Sequence, residues 1–513
     1  MHAQCMDLPH NWTVVEGTLN GQTHEMVEEV IEAEPDVVMA TCWLFNHEKV
    51  EAVLRRVHVL TPTTQILLGG PEFLGDNKEY LQHRPWVTAV VRGEGEAFIR
   101  PFLSQTPLAT ITGVCLYHNE EYVDNGMARV GEFAALTPPH NSHFFHLDKG
   151  FVQLETTRGC FNHCRYCVSG TDRPLRHLPI EEVETRLRFF SRQKGIKQIR
   201  LIDRTFNGTP RAIELLDLFE RYPTLSYHVE VHPAFLSDRI NERLATAPKG
   251  LLHLEAGVQS LQAEVITATA RRGDIAQSLA GLTFLRTIHH PVHVDLIAGL
   301  PHYTLEALFL DARHLMLMEF EELQVELLKL LPGTPFRNEA DRYHLKYSPL
   351  PPYEVLSSDA MTPSDLRTAR ILSRIIDLYF NKPYWRSLIT LILKRNEQFL
   401  YRFATESACN WLQPLTPERC GGIIYDYCQT HHPDLTEEIT LEWLWQGFTL
   451  LKHAGREAMR CEAPVHYDVI RGNIPTADAD SKLIWYRTAH HALAYNVKQS
   501  HTHPALLCRL QQA

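Results

Sequence analysis

The stretch that most limits what this chain can become is Gly159-Cys160-Phe161-Asn162-His163-Cys164-Arg165-Tyr166-Cys167, where three cysteines are separated by three and then two residues. Three thiolates on one short loop can wrap three corners of a cubic 4Fe-4S cluster and leave the fourth iron without a protein ligand. A zinc knuckle uses four ligands in paired sets, and His163 with its neighbours makes no such set. Three unrelated buried thiols are the other reading. The spacing favours the cluster.

Tyr166 directly before the third cysteine and Glu155-Thr156-Thr157-Arg158-Gly159 before the first complete a signature that closely resembles the radical S-adenosylmethionine (SAM) superfamily. The resemblance implies that the amino and carboxylate groups of SAM chelate the open iron. One electron then passes from the cluster, and homolysis gives a 5′-deoxyadenosyl radical. An electron donor such as flavodoxin or ferredoxin is the partner this chemistry implies.

At 513 residues the chain predicts roughly three domains. With 44% hydrophobic and 22% charged residues, each can bury a core. The formal net charge of -11, with no long basic run, argues against a nucleic-acid surface. No segment approaches the roughly 18 uninterrupted apolar residues of a membrane span. Met1 to His10 lacks a signal peptide's apolar stretch. A cytoplasmic protein is expected, and eleven cysteines, three of them clustered, fit a reducing compartment.

Residues 1–107 alternate strand and helix patterns. Trp12 to Thr18 reads as a strand, His24 to Ala33 as a helix, Asp36 to Ala40 as a strand and Val50 to Val57 as a helix. Thr64 to Leu68 and Val87 to Val91 read as strands, Asn77 to His83 and Glu96 to Leu103 as helices. This interval predicts an α/β, doubly wound, Rossmann-like parallel sheet. Ligands in such sheets sit beyond the carboxyl ends of the strands. The runs Pro35-Asp36-Val37-Val38, Leu67-Leu68-Gly69-Gly70-Pro71-Glu72 and Val90-Val91-Arg92-Gly93-Glu94-Gly95-Glu96 resemble the cobalamin-binding domain of B12-dependent radical SAM enzymes. The resemblance implies that the loops at Thr41 to Asn46, Gly69 to Glu72 and Gly93 to Gly95 cup a corrin ring, with Gly69, Gly70, Pro71, Gly93, Glu94 and Gly95 as its contacts. As bare turns, these glycines need only positive φ. Relative to that family the domain is expected to lack a first strand and helix, and no Asp-x-His-x-x-Gly supplies a histidine to cobalt.

Residues 108–145 read as a linker with short strands at Ile111 to Tyr117 and Glu121 to Val123. Residues 146–352 read as a partial (β/α)6 barrel, with strands at Phe151 to Leu154, Gln198 to Ile202, Ser226 to Val231, Leu251 to Leu254, Val292 to Ile297 and Glu322 to Leu330. Barrel sites form at the carboxyl ends of strands. By resemblance to radical SAM barrels, Tyr166, Asp203, Glu255, Gln259, Arg271 or Arg272, and Gly299 are the SAM contacts. Glu255 would accept the ribose hydroxyls, an arginine would pair with the carboxylate, and Gly299 would let adenine approach. Leu331-Pro332-Gly333-Thr334-Pro335 resembles the close of the sixth strand in coproporphyrinogen-dehydrogenase-like barrels. Without the cluster, Glu255 reads as an ordinary buried acid and the two arginines as a solvated helix end.

Residues 353–513 predict a mainly α-helical domain, with helices at Thr362 to Phe380, Trp385 to Phe403, Leu415 to Gln429, Ile439 to His453 and Leu483 to Asn496. Its order and Tyr379-Phe380-Asn381 resemble an uncharacterised helical extension in one subgroup of B12-type radical SAM proteins. Cys409, Cys420, Cys428 and Cys461 read as core thiols. His289-His290, His431-His432, His490-His491 and His501-x-His503 read as surface histidines.

The reading that results is a cobalamin-dependent radical SAM methyltransferase acting on an unactivated carbon of an unnamed substrate. The alternatives are a B12-associated ring-forming or rearranging enzyme, a SAM-only radical enzyme with a degenerate B12 domain, and a non-catalytic cofactor-binding protein.

Overall fold

Side chains alternate along the strand Gln65–Gly69, so Ile66 and Leu68 enter one core while Leu67 enters another on the opposite face of the same sheet. Val37–Thr41, Gln65–Gly69 and Ala89–Val91 pair in parallel in that order. One core takes Leu54 from helix His47–Leu60 and Leu81 from helix Lys78–Gln82. The other takes Phe98 and Ile99 from helix Gly95–Leu103. Burial on both faces is what near-continuous apolar strands require.

This is a computed structural model of the whole chain, describing all residues except 173, 449–451, 473–482, 497–502 and 512–513. It divides into two compact units, residues 1–304 with 327–366 and residues 305–326 with 367–513.

In the first unit, Val114–His118 and Glu121–Asp124 extend the N-terminal sheet antiparallel beyond Ala89–Val91. Trp12 to Thr18, expected as a strand, is irregular. Its apolar residues are used singly, Trp12 against the core of Phe98 and Val15 against the helix pair of Val27 and Val53. The N-terminal sheet is followed by the barrel sheet, where Phe151–Leu154, Gln198–Leu201, Ser226–Val231, Leu252–Gln259 and Val292–Ala298 pair in parallel in sequence order. Tyr227, Val229 and Val231 are buried toward the helices, with Tyr227 stacked 3.9 Å from Phe219. His228 and Glu230, one residue out of phase, line the half-buried opposite face. The Leu328 N–H donates to the Ala298 carbonyl at 2.9 Å and carries the sheet edge toward Leu331.

In the second unit, helices Arg386–Arg395, Phe399–Glu406, Pro417–His431 and Thr436–Trp445 surround buried Trp385, Phe399, Phe403 and Trp443. Asn381 accepts from the Leu323 N–H at 3.0 Å and donates to its carbonyl at 2.9 Å, pinning the strand Glu322–Leu327. The helical region gives way to five strands, Met459–Cys461, Tyr467–Gly472, Leu483–Arg487, His491–Asn496 and Leu506–Leu510. This corrects the helix expected over Leu483 to Asn496, which is a hairpin pairing Trp485 with Ala494. The run Leu483-Ile484-Trp485-Tyr486 is β-branched and aromatic, and the sheet buries Trp485 with Ala492, Ala494 and Leu506. The helix expected over Ile439 to His453 ends at Trp445. His501 lies outside the described residues. Among the described residues all eleven cysteines are free thiols, and no helix is long and apolar enough to cross a membrane.

Candidate functional site

The strand Phe151–Leu154 delivers the chain to the cysteine loop, and a short antiparallel pairing of Thr157–Arg158 with Arg176–His177 draws the two ends of that loop together. Asp203 anchors this neck from the end of the next strand. Its Oδ1 accepts the N–H groups of Thr156 at 2.7 Å and Thr157 at 3.1 Å, and its Oδ2 accepts the Thr156 hydroxyl at 2.5 Å. Asp203 is buried, so the residue expected among SAM's contacts directs its carboxylate into the strand that presents the cysteines. Gly159 has φ +88°, and a Cβ there would lie 2.7 Å from the Asp172 carbonyl, which accepts the Cys160 N–H at 3.4 Å.

Cys160 and Cys164 are buried and Cys167 half-buried. The Asn162 N–H donates to Cys160 Sγ at 3.4 Å, and Arg271 Nη1 stands 3.8 Å from Cys164 Sγ. Donors aimed at sulfur stabilise thiolates and tune a cluster's potential, so this donor set fits a 4Fe-4S group. Arg271 Nη2 also donates to the Gly257 carbonyl at 2.7 Å. Burial alone would lower Arg271, but Tyr166 and Cys164 beside it hold the guanidinium charged. Burial pushes the Tyr166 phenol well above its ordinary range. Arg272 has a different place: its N–H donates to Asn162 Oδ1 at 3.3 Å and its guanidinium lies 5.6 Å from the Phe161 ring.

Beyond Arg271 the half-buried barrel face carries Glu255, bonded to His228 Nε2 at 3.0 Å. That bond, together with the charges of His228, His293 and His253, holds the Glu255 carboxyl below its ordinary range. His253 and His293 meet Nε2 to Nε2 at 2.8 Å. Gln259 sits at a strand irregularity with φ +70°, its amide nitrogen folded over Gly257. Gly299 has φ +86°, and the space its missing Cβ would take faces Leu366, Val355 and Leu328.

The glycine turns of the N-terminal sheet are explained first by the chain itself. Gly70 has φ +104° and Gly93 φ +102°, and a Cβ would lie 2.5 Å from the Cys42 carbonyl at the first and 2.3 Å from the Ala128 carbonyl at the second. Gly69 and Gly95 are less crowded, and Pro71 opens the turn Pro71–Phe73. Glu72, buried, accepts from the Tyr353 hydroxyl at 2.6 Å and bonds His47 Nδ1 at 3.0 Å. Beside these turns Trp43 and Phe45 are 42% and 60% exposed and stack at 6.1 Å. Two flat, uncovered rings next to backbone turns fit a planar macrocycle.

Glu94 lies between two arginines. Its Oε1 accepts from Arg176 Nη2 at 2.5 Å, its Oε2 accepts from Arg176 Nη1 at 3.0 Å and lies 3.1 Å from Arg158 Nη1, and the Val130 N–H donates to it at 2.6 Å. Arg158 reaches Glu96 at 2.7 Å and Glu155 at 2.9 Å, and packs 4.6 Å from the Phe133 ring. Asp172 pairs with both Arg176 and Arg129. Sequence reasoning quoted Arg158 and Glu94 in separate motifs and missed that they meet; it named the loop Thr41 to Asn46 as a corrin contact without singling out Trp43 and Phe45 within it.

Residues 154–313 match the Radical SAM superfamily, residues 4–101 the B12 binding domain, and residues 341–406 a family described only as a protein of unknown function, DUF4080. One chain thus carries matches to both the Radical SAM superfamily and the B12 binding domain. It is 24% identical over 358 residues to the cobalamin-dependent radical SAM methyltransferase TokK of Streptomyces tokunonensis, covering 63% of this chain and 51% of that one. It is 24% identical over 201 residues to the 2-(S-pantetheinyl)-carbapenam-3-carboxylate methyltransferase of Streptantibioticus cattleyicolor, covering 36% and 29%. The chain thus spans about half the length of the first relative and less of the second. Among solved structures, the fold resembles the cobalamin-dependent SAM radical enzyme OxsB (TM-score 0.56, 14% identity, 83% of this chain and 72% of that one). It also resembles the methyltransferase TsrM of Kitasatospora setae (TM-score 0.51, 16% identity, 63% and 68%).

Proposed function

We propose that this protein is a cobalamin-dependent radical SAM methyltransferase acting on an unactivated carbon. The observation that carries the reading is the cysteine loop itself, its neck closed against the turns of a B12-binding domain and its Cys164 sulfur faced by the half-buried guanidinium of Arg271. When bound, the cluster supplies the electron that cleaves SAM and the corrin supplies a methyl carrier.

The protein's part is to hold and orient. Cys160, Cys164 and Cys167 bind three irons. Arg271, rather than Arg272, lies on the cluster side of its loop and is the arginine placed to pair with SAM's carboxylate. Glu255, kept ionised by His228, is suited to accept two ribose hydroxyls. Gln259, four residues on along the same strand, and Gly299, just past the end of the neighbouring strand, would complete the SAM contacts. On the other cofactor, Trp43 and Phe45 offer apolar faces, while the backbone of Gly69-Gly70-Pro71 and Gly93 to Gly95 lines the ring edge. A small electron donor of the flavodoxin or ferredoxin type, in a reducing cytoplasm, completes the system.

Anaerobic purification, cluster reconstitution and addition of hydroxocobalamin, followed by a spectrum after desalting, test the reading. Retained corrin bands beside an iron-sulfur shoulder, with S-adenosylhomocysteine and 5′-deoxyadenosine formed on reduction with SAM, are expected. A clustered protein that washes free of corrin overturns the methyltransferase reading in favour of SAM-only chemistry.

A further inference from the structure

Across the neck of the cysteine loop, Arg158 stands directly opposite Arg176 in the antiparallel register. Like charges facing each other across a strand pair repel, and repulsion grows where water is excluded. Here the side chains are only 12% and 13% exposed. The neck nevertheless closes, and the charge that lies between the two guanidiniums is Glu94, itself 18% exposed and contributed by the Gly93–Gly95 turn of the N-terminal domain. Glu94 touches both arginines, whereas Glu96 and Glu155 reach Arg158 and Asp172 reaches Arg176.

We propose that Glu94 is a positioning residue, a clamp from the corrin-side turn that holds Arg158 and Arg176 together and so keeps the neck of the cluster loop shut. The carboxylate within the Gly-Glu-Gly turn thus serves the cluster rather than the corrin. The proposal rests on the cluster assignment above, and it makes closure of the cysteine loop depend on docking of the N-terminal turn.

The logic of charge gives a test that a simple docking contact does not pass. Glu94→Gln keeps the shape but removes the one charge between the two half-buried guanidiniums, leaving each only its outer acids, Glu96 and Glu155 for Arg158 and Asp172 for Arg176. Arg176→Gln in that background removes one of them. In the full-length, reconstituted protein without corrin or SAM, release of cluster iron to a chelator is expected to be several-fold faster in Glu94→Gln than in the parent. In Glu94→Gln/Arg176→Gln it returns most of the way.

In cluster-free protein, hydrogen exchange follows the neck through the Cys160 amide, which bonds the Asp172 carbonyl. Protection is lost in the single variant and regained in the double. Iron release from Glu94→Gln at the parent rate, or a double variant no better than the single by either measure, overturns the proposal. If Glu94→Gln yields no soluble protein, recovery of soluble protein in the double variant supports the clamp, and its failure overturns it. A parent protein that assembles no cluster counts against the proposed function instead, and the exchange measurement still decides the clamp.

Discussion

The guanidinium of Arg271 places one nitrogen 3.8 Å from the Sγ of Cys164 while the other is fixed 2.7 Å from the Gly257 carbonyl. A positive charge this close to a ligand sulfur favours the reduced, more negative form of the cluster. Arg271→Gln is therefore expected to shift the cluster potential on the order of 50–100 mV more negative. It also leaves the Gly257 carbonyl without its partner, a destabilisation of about 1–3 kcal/mol. A redox titration followed by electron paramagnetic resonance, with thermal unfolding alongside, checks both.

Asp203 gathers the Thr156 and Thr157 donors at the base of the cysteine loop. Asp203→Asn keeps one oxygen for the two N–H groups but removes the negative charge from all three bonds and turns an amide N–H toward the Thr156 hydroxyl. Loss of about 2–4 kcal/mol of stability is expected from these bonds, read as a lower denaturant midpoint.

His232 is buried, its Nδ1 accepts the Ala234 N–H at 3.2 Å, and burial with the nearby Arg271 charge pushes its pKa down to about 2. The folded protein keeps this ring neutral, while the unfolded chain takes up a proton below about 6.5. The unfolded state then binds more protons, so stability falls as pH drops from 6.5 toward 4 and is unaffected above it. His232→Gln should flatten that slope by at most about 1.4 kcal/mol per pH unit. Urea midpoints measured from pH 5 to 8 for both proteins check this.

Trp43 presents an uncovered ring stacked on Phe45. If a corrin covers it, Trp43→Ala forfeits the burial of one large side chain, roughly 1.5–3 kcal/mol, or about 10- to 150-fold in corrin affinity. Cluster content should be unchanged. Equilibrium binding of hydroxocobalamin, measured beside iron and sulfide content, separates the two effects.

Where the chemistry is local, the sequence could be read. Three cysteines within one loop, and strands such as Gln65–Gly69 whose alternation fits a sheet covered on both sides, carry their meaning in neighbouring residues. What escaped is set by topology. Arg176 and Glu94 are 82 residues apart, and only the docking of the first sheet on the barrel tells which acid meets which arginine. Asp203 was placed correctly at a strand end, but its direction depends on the adjacent strand's backbone. Leu483 to Asn496 contains helix-compatible spacing, and the partner strand Leu506–Leu510 that makes it a sheet lies farther along the chain. Gly70 and Gly93 were visible as turns, yet the carbonyls of Cys42 and Ala128 that demand glycine there come from other elements.

The bond from Tyr353 to Glu72 joins residues 281 apart. At about 5–20 residues per second of synthesis, the Glu72 carboxylate emerges from the ribosome roughly 15 to 60 seconds before the phenol that will cover it. Throughout that interval the first sheet must persist as an unfinished surface, with an acid and the exposed rings of Trp43 and Phe45 on view. The stage at which the Glu72 carboxylate lies open to chaperones or proteases therefore closes when residue 353 arrives, while the two rings stay on view.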